Sequence, residues 1–414
     1  MERLTSVESY VCASLVALYL LCFAVRFQGR HKDVCWLFVM MNGTAILFFF
    51  LQQSTLLNLP SILFSLTMFF TLVSFPVGYK LVGVFLRDRP THSQSIRAMR
   101  MKLSSKKMLV CNRVGYVFYF LAFSVELSNA SWILPLFAEN QLTAYYDFPM
   151  HFVHYLVVAS IPISIVYAYL TFFRSGTTKI DHVVLFSMLI LNTLILARAI
   201  VMTQVFLIGY FWFISNNYRI RTKLLIVLAV LLLSFITILG YYRTGDTLRV
   251  LLDIGGLSHW PDWAVPFAWP YLYFATSIEN FRHIFESTQL DDLDVVTVGT
   301  RYVLIYLFTL IQAKDLIPGG EVVTSAGGFN TFGMYLNAFY DYYVFFPLSF
   351  LMIGVIVALT ERTKMISVQL FFPYIVYCIF TSPVNDYLGQ FFTLIYFVYI
   401  QILVLASRVK RSCS

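Results

Sequence analysis

The sequence predicts an all-α protein that crosses a membrane many times, and three observations carry this prediction. Of its 414 residues, 59% are hydrophobic and 12% are charged, about half the charged fraction of a typical soluble domain. Its mean hydropathy is +0.76. Aromatic residues make up 18% of the chain, which suits belts of tyrosine and tryptophan at the membrane surfaces. These values exclude an ordinary soluble domain and indicate a polytopic helical membrane protein.

Eleven apolar stretches approach the length of about 20 residues that a helix needs to cross the hydrocarbon core. The two that flank Arg198 are interpreted as separate spans joined by a tight turn, because this fits their length better than one kinked helix. We expect the first span to be retained, since no basic segment precedes it and no signal-peptide cleavage site follows it. The predicted limits are 9–25, 34–52, 60–79, 108–128, 152–173, 182–197, 199–215, 223–241, 343–359, 366–383 and 389–406.

The distribution of charge predicts the orientation. Lysine and arginine collect on the cytoplasmic side of membrane proteins. With the N-terminus outside, 22 of the 29 basic residues fall in inner segments, and 17 of the 21 acidic residues lie outside or near the outer boundary. We therefore predict an external N-terminus and a cytoplasmic C-terminus. The net charge of +8 follows from this topology and gives no indication of nucleic-acid binding.

The chain is predicted to have three parts: a bundle of spans 1–8 (residues 1–241), a large extracytoplasmic segment (242–342), and spans 9–11 with a basic tail (343–414). Apolar patches within the long segment, 264–278 and 302–312, are too short to cross a bilayer. We interpret them as interfacial or re-entrant helices. The spacing of Pro266 and Pro270 argues against one straight helix in the first patch.

Arginines near the predicted outer boundary are candidates for an anion site. Arg198 has apolar residues on both sides, and arginine at membrane depth is by default a functional hypothesis. Its fork of donors suits phosphate or pyrophosphate. Arg243 and Arg249, at the start of the long segment, are further candidates; for all three, the alternative is an anchor that reaches to the headgroups. Arg282 and Arg301 are weaker, because nearby acids can pair with them.

Carboxylates and histidines supply candidates for proton transfer. Asp147, His151 and His154 share one helical face if a helix extends out to Asp147. Histidine as base and aspartate as orienter would polarise a sugar hydroxyl, whereas the alternative is an interfacial polar stripe. Asp341, beside Tyr340 where the chain re-enters the membrane, either binds sugar hydroxyls or caps the ninth span.

Other motifs point away from metal and nucleotide chemistry. The six cysteines form no Cys-x-x-Cys pair, and the Asp-x-Asp at 292–294 is interpreted as a solvated turn. The sequence contains no P-loop, Gly-x-Ser-x-Gly or His-Glu-x-x-His motif. Neither a metal nor a cofactor is predicted. Asn330, after Gly327 and Gly328, is a candidate polar contact on a flexible loop.

This layout resembles the O-antigen and oligosaccharide repeat-unit polymerases, the Wzy type. The resemblance covers residues 180–360 in pattern and the whole chain in architecture. The family often has Asp-Phe-Gly after the loop, whereas Asp341 is followed by two tyrosines. The matching stretches are Leu196-Ala197-Arg198-Ala199, Tyr218-Arg219-Ile220-Arg221, Tyr242-Arg243, Asn330-Thr331-Phe332-Gly333 and Phe339-Tyr340-Asp341.

The resemblance implies a lipid-linked glycosyltransferase at the periplasmic face of the bacterial inner membrane. The donor would be a growing glycan on undecaprenyl pyrophosphate, and the acceptor a single repeat unit on the same lipid. Membrane lipids and a chain-length regulator would be further partners. By match to the family's arginines, Arg198 and Arg243 would stabilise the leaving pyrophosphate. The predicted catalytic residues are therefore Asp341, His151 and His154. The predicted residues for binding pyrophosphate or substrate are Arg198, Arg243, Arg249, Asn330 and Tyr340.

Two alternatives stay open. An O-antigen ligase, which transfers the glycan to the lipid A core, has a similar layout, and His259 and His283 in the long segment keep it in consideration. A lipid-linked oligosaccharide flippase is expected to have charges within its central spans and short loops. This chain has few such charges and one long outer segment, which disfavours a transporter.

Overall fold

The computed structural model describes residues 4–26, 34–86, 96, 103–174, 177–216, 252–287, 334, 346–384 and 391–408. These residues contain no β-strand, only an isolated antiparallel bridge between Leu103 and Arg408. A π-helical turn, Leu170–Arg174, continues the α-helix Ser160–Tyr169. The α-helices are α1 (Ser6–Arg26), α2 (Val34–Phe50), α3 (Ile62–Phe85), α4 (Ser105–Asn129), α5 (Gln141–Asp147), α6 (His151–Val158), α7 (Ser160–Tyr169), α8 (Lys179–Leu194), α9 (Arg198–Ser215), α10 (Val265–Ser287), α11 (Phe346–Glu361), α12 (Ile366–Thr381) and α13 (Phe391–Ser407).

Ten of the eleven predicted spans fall on described helices, and the eighth, 223–241, lies outside the described residues. The protein is therefore an all-α membrane protein, while the number of crossings and the orientation stay predictions. Shorter apolar helices are Val34–Phe50, Phe346–Glu361, Ile366–Thr381 and Thr393–Ser407. The helices long and apolar enough to cross a membrane are Ser6–Ala24, Ile62–Phe85, Ser105–Asn129, Val153–Arg174 and Arg198–Ser215.

Helix starts follow from capping residues in the sequence. The hydroxyl of Ser61 accepts a hydrogen bond from the third backbone N–H of α3 at 3.2 Å, and Ser104 does the same for α4 at 3.4 Å. Thr178 and Asp181 form a capping box at the start of α8. These side chains satisfy N–H groups that have no partner within the helix, so they fix where each helix begins.

The chain forms two compact units that are discontinuous in sequence. Unit 1 comprises Met1–Arg87, Leu248–Leu359 and Cys378–Thr393. Its core is aromatic: the rings of Phe38 and Phe75 stack with centroids 4.1 Å apart. Unit 2 comprises Asp88–Thr247, Thr360–Tyr377 and Leu394–Ser414.

Glycines allow α3 and α11 to approach closely within unit 1. A Cβ on Gly78 would lie 2.0 Å from the carbonyl oxygen of Leu351, and one on Gly354 would lie 2.4 Å from the carbonyl oxygen of Phe75. Small residues at helix contacts let backbones approach, which strengthens packing between helices in a membrane.

Substitution of Gly78 is therefore expected to destabilise the protein. Gly78→Ala should lower the free energy of unfolding by about 1–3 kcal/mol, because the new methyl group forces two backbones apart. Gly209→Ala on α9 is the matched control, since a Cβ there meets no atom within 4 Å. Alanine is the better helix former, so the control should be neutral or slightly stabilising. Thermal unfolding in detergent measures both; equal midpoints would contradict the close approach.

Residues 252–287, which are part of the long segment predicted to be extracytoplasmic, belong to unit 1. The patch at 264–278, in which the proline spacing argues against one straight helix, lies in α10, which is continuous over 23 residues. The reason is the position of the prolines. Pro266 stands in the first turn, where N–H groups lack intrahelical partners, and Pro270 removes only one hydrogen bond.

The loop between α2 and α3 holds α10 at several points along its length. The hydroxyl of Tyr271 accepts a hydrogen bond from the N–H of Gln53 at 2.9 Å. Fifteen residues further on, the carboxylate of Glu286 accepts one from the N–H of Ser61 at 2.7 Å. These contacts fix this part of the long segment on unit 1.

Arg282 on α10 has a structural role. Its side chain is 5% exposed, and its Nη2 lies 2.7 Å from Oε1 of the buried Glu279. It also pairs with Glu286. Glu279 accepts a further hydrogen bond from Nδ2 of Asn58 at 2.9 Å. The interpretation that nearby acids pair with Arg282 is confirmed.

Removal of Arg282 is expected to be strongly destabilising. Arg282→Ala leaves the Glu279 carboxylate buried without its cation, a loss typically worth about 3–5 kcal/mol. The double variant with Glu279→Gln should recover part of this loss, because it removes the buried charge. Thermal unfolding of the single and double variants tests the pair. A double variant less stable than Arg282→Ala would mean that packing, not charge, accounts for the effect.

Candidate functional site

A buried hydrogen-bond network joins four helices of unit 2. The hydroxyl of Tyr119 (α4) donates to Oδ1 of Asn192 (α8) at 3.0 Å. The amide of Asn192 donates to Oε1 of Gln204 (α9) at 3.0 Å, and that of Gln204 donates to the hydroxyl of Ser164 (α7) at 3.0 Å. All four side chains are buried. Satisfied polar networks in a low-dielectric interior hold their elements in one arrangement.

Contacts along α4 give the direction of its neighbour. Nε of Arg113 donates to Oδ1 of Asp181 at the start of α8 at 2.9 Å, and Tyr119 contacts Asn192 near the end of α8. The two helices therefore run in the same direction. Burial raises the pKa of Asp181, which precedes the sixth predicted span, but hydrogen bonds from Arg113 and Thr178 outweigh it and lower that pKa to about 2.

The ends of α4 and α8 thus lie on one side of unit 2. Glu126 is seven residues beyond Tyr119 on α4, about 10 Å along the axis. Arg198 is six residues before Gln204 on α9, about 9 Å in the same direction, because α9 runs back from the end of α8. We call this side, which carries both residues, the Glu126 end of unit 2.

A carboxylate–histidine pair stands at the Glu126 end. Glu126 is fully buried in the last turn of α4, and its Oε1 lies 3.0 Å from Nδ1 of His154 in the first turn of α6. The same oxygen accepts the N–H of Met150 at 3.1 Å. In the neutral imidazole, donation from Nδ1–H to the carboxylate would leave the lone pair on Nε2. The imidazole is 24% exposed, so this arrangement suits a base that a ligand reaches.

The second oxygen of Glu126 has no hydrogen-bond partner among the residues that the structure describes. Oε2 is buried and unpartnered, whereas Oε1 accepts two hydrogen bonds. A buried polar atom without a partner costs free energy. A ligand hydroxyl that donates to Oε2 would remove this cost.

The single helix that would place Asp147 on one face with the histidines is not present. Asp147 is exposed and ends the short helix α5, and α6 begins only at His151. Pro149 between them disfavours one continuous helix, because its ring clashes with the preceding turn. Glu126 takes the expected place of the aspartate. The side chain of His151 is outside what the structure describes.

Arg198 occupies a sharp turn between two helices, as predicted. α8 ends at Leu194 and α9 begins at Arg198, with Leu196 in the left-handed region at φ +58°. Ala197, at the N-cap, provides no side-chain cap. Arg198 is the first residue of α9, so its backbone lies at the positive end of the helix dipole, a location that favours an anion.

Five predicted site residues lie outside the described residues and stay predictions: Arg243, Arg249, Asn330, Tyr340 and Asp341. The residue that sequence reasoning missed is Glu126. It falls within the predicted span 108–128, and an acid inside an apolar span is by itself the signal of a functional site. In the part of the chain that the structure describes, no three histidine, cysteine or acidic side chains gather as metal ligands.

The comparisons give no family for this protein. The chain matches no family model, no curated protein and no solved structure. Its function is therefore argued from the chemistry of the Glu126 end and from the sequence.

Proposed function

We propose that the protein polymerises undecaprenyl-pyrophosphate-linked oligosaccharide repeat units into O-antigen or a related surface polysaccharide, at the periplasmic face of the inner membrane. The observation that carries the proposal is the Glu126–His154 pair, at the end of unit 2 that also carries Arg198. Glycosyl transfer from a pyrophosphate needs a base for the attacking hydroxyl and a cation for the leaving group. This end of the unit offers one of each.

The proposed reaction uses these groups as follows. A hydroxyl of the acceptor repeat unit attacks the anomeric carbon of the donor glycan, and its proton passes to Nε2 of His154. Glu126 stabilises the imidazolium that forms. The bond from the anomeric carbon to the pyrophosphate oxygen breaks, and its electron pair leaves with undecaprenyl pyrophosphate. Arg198 stabilises the charge that develops on this leaving group.

The predicted orientation agrees with this assignment. The C-terminal ends of α4 and α8 are expected to face outward, so the Glu126 end would be open to the periplasm. The pyrophosphate link is already activated, and the reaction needs neither ATP nor a metal. The roles predicted from the sequence for Arg243, Arg249, Asn330 and Tyr340 in substrate binding, and for Asp341 in the chemistry, stay part of the proposal.

An O-antigen ligase is the second candidate, because the same base and cation serve an acceptor on lipid A core. His259 and His283, the histidines that keep the ligase in consideration in the sequence, belong to unit 1. A flippase, the third, moves its substrate without deprotonating a hydroxyl and has no use for a carboxylate–histidine base.

The test is a glycan ladder from cells that lack the gene, with and without the wild-type copy. If the protein is the polymerase, cells that lack the gene are expected to carry a single repeat unit on the lipid core. The wild-type gene should then restore the ladder. Long polymer that accumulates on the carrier lipid would instead identify a ligase. Single carrier-linked units trapped on the cytoplasmic face would identify a flippase. Either of the last two results would overturn the proposal.

A further inference from the structure

A pocket of about 470 Å³ lies at the end of unit 2 opposite to Glu126. Its place is given by Arg408, which bridges to Leu103 just before α4 begins. The turn between α11 and α12 and the end of α13 form its walls. The lining residues are Thr363, Lys364, Met365, Ile366, Ser367, Gln401 and Arg408.

Two cations line this pocket without a counter-charge. Neither Lys364 nor Arg408 has a carboxylate within 4 Å among the described residues, and both side chains are exposed. The N-terminus of α12, at Ile366, adds the positive end of a helix dipole to the same wall. The pocket is therefore suited to a phosphate group.

The same pocket also offers an acceptor. Oε1 of Gln401 is buried and has no hydrogen-bond partner within the part of the chain that the structure describes. A bare phosphodiester has no proton to donate to it, whereas a hydroxyl elsewhere in the same headgroup does. The pocket thus matches a ligand that combines phosphate with a hydroxyl.

The wall from the α11–α12 turn is preformed. The amide of Gln369 donates to the carbonyl oxygens of Thr360, Glu361 and Thr363 at 3.1, 2.8 and 2.9 Å. The N–H of Met365 donates to the hydroxyl of Thr363 at 3.3 Å. These bonds fix the turn without a ligand, so little conformational entropy is lost on binding.

Apolar surface beside the cations indicates a lipid rather than a soluble phosphate. Gln401, Leu405 and Arg408 follow the spacing i, i+4 and i+7 and share one face. Leu405 between them is 53% exposed, and Met365 at the rim is 56% exposed. In the predicted orientation this end faces the cytoplasm, where basic residues meet anionic lipid headgroups.

We propose that this pocket binds the headgroup of an anionic phospholipid that carries a hydroxyl, of the phosphatidylglycerol type. Lys364 and Arg408 hold the phosphate, and Gln401 accepts a hydrogen bond from the headgroup hydroxyl. Leu405 and Met365 contact the start of the acyl chains. This site is independent of the proposed glycosyl transfer.

The test measures lipid binding to the full-length protein in detergent by native mass spectrometry. Phosphatidylglycerol should bind the wild type more tightly than phosphatidylcholine, and the double variant Lys364→Gln/Arg408→Gln should weaken it about 30-fold, since each basic residue near a lipid surface contributes about fivefold. The control Lys106→Gln/Lys179→Gln removes two exposed charges elsewhere at this end and should bind as the wild type does. Unchanged binding by the first pair, or equal loss in both pairs, would overturn the site.

Two further probes separate the parts of the proposal. Gln401→Leu should lose the preference for phosphatidylglycerol over phosphatidylmethanol, a phosphodiester lipid of the same charge that has no headgroup hydroxyl. Glycerol 3-phosphate should not compete with the lipid at millimolar concentration; full competition would mean a soluble phosphate site and would overturn the lipid assignment. Equal thermal midpoints without lipid show that the variants fold.

Discussion

Replacing His154 with alanine is expected to abolish polymer formation. The substitution removes the group proposed to take the hydroxyl proton, and a positioned base typically contributes a factor of about 10²–10⁴ in rate. Glu126→Gln should lower the rate by about 10² or more, because an amide does not stabilise the imidazolium. The amide oxygen still accepts the N–H of Met150, so the local backbone is preserved. The measurement is the initial rate at which the purified protein joins lipid-linked repeat units.

The double variant shows whether the two residues act together. If Glu126 acts only through His154, the variant His154→Ala/Glu126→Gln should be no slower than His154→Ala alone. Asp147→Asn is the control: it removes an acid that is close in sequence but exposed and on another helix, and should keep the wild-type rate. A wild-type rate in His154→Ala would exclude this base, and independent additive losses would exclude the pairing.

The helices of this protein could be predicted from its sequence, but the contact between Glu126 and His154 could not. Helices were predictable because apolar composition is local, and the turn at Arg198 followed from the length of the stretches around it. The partner of His154 is 28 residues away in sequence and reaches it only through packing of α4 on α6. Helical periodicity places Asp147 beside the histidines only if one helix spans residues 147–154. Pro149 disfavours such a helix.

α10 shows how long-range contacts add to what a local rule predicts. Two prolines argue against a straight helix, and the described helix is continuous through both. Its polar contacts with the α2–α3 loop are made by residues more than 200 positions apart, such as Gln53 and Tyr271. Neither stretch contains a pattern that predicts such a partner. The sequence therefore could not show that packing against the α2–α3 loop supports the helix through its prolines.

Replacing Arg198 with alanine is expected to lower the rate of glycosyl transfer by about 10²–10³, the usual cost of removing one group that stabilises developing charge. The loss should appear in kcat more than in KM for the acceptor, because the charge develops on the leaving pyrophosphate. Arg198→Lys should recover part of the rate, since it keeps the charge and loses the planar fork of donors. Lys179→Ala, at the other end of the α8 helix, should have no effect.

The Arg198 result also bears on the residues outside the described ranges. If the predicted residue Arg243, and not Arg198, holds the pyrophosphate, Arg198→Ala should cause a small loss of rate and Arg243→Ala a large one. His154 would then stand apart from the bond that breaks. In that case His154→Ala should also be harmless, because a base acts only within hydrogen-bond reach of the attacking hydroxyl. Large losses in both Arg198→Ala and His154→Ala are therefore expected to occur together, and one without the other would contradict a single site at the Glu126 end.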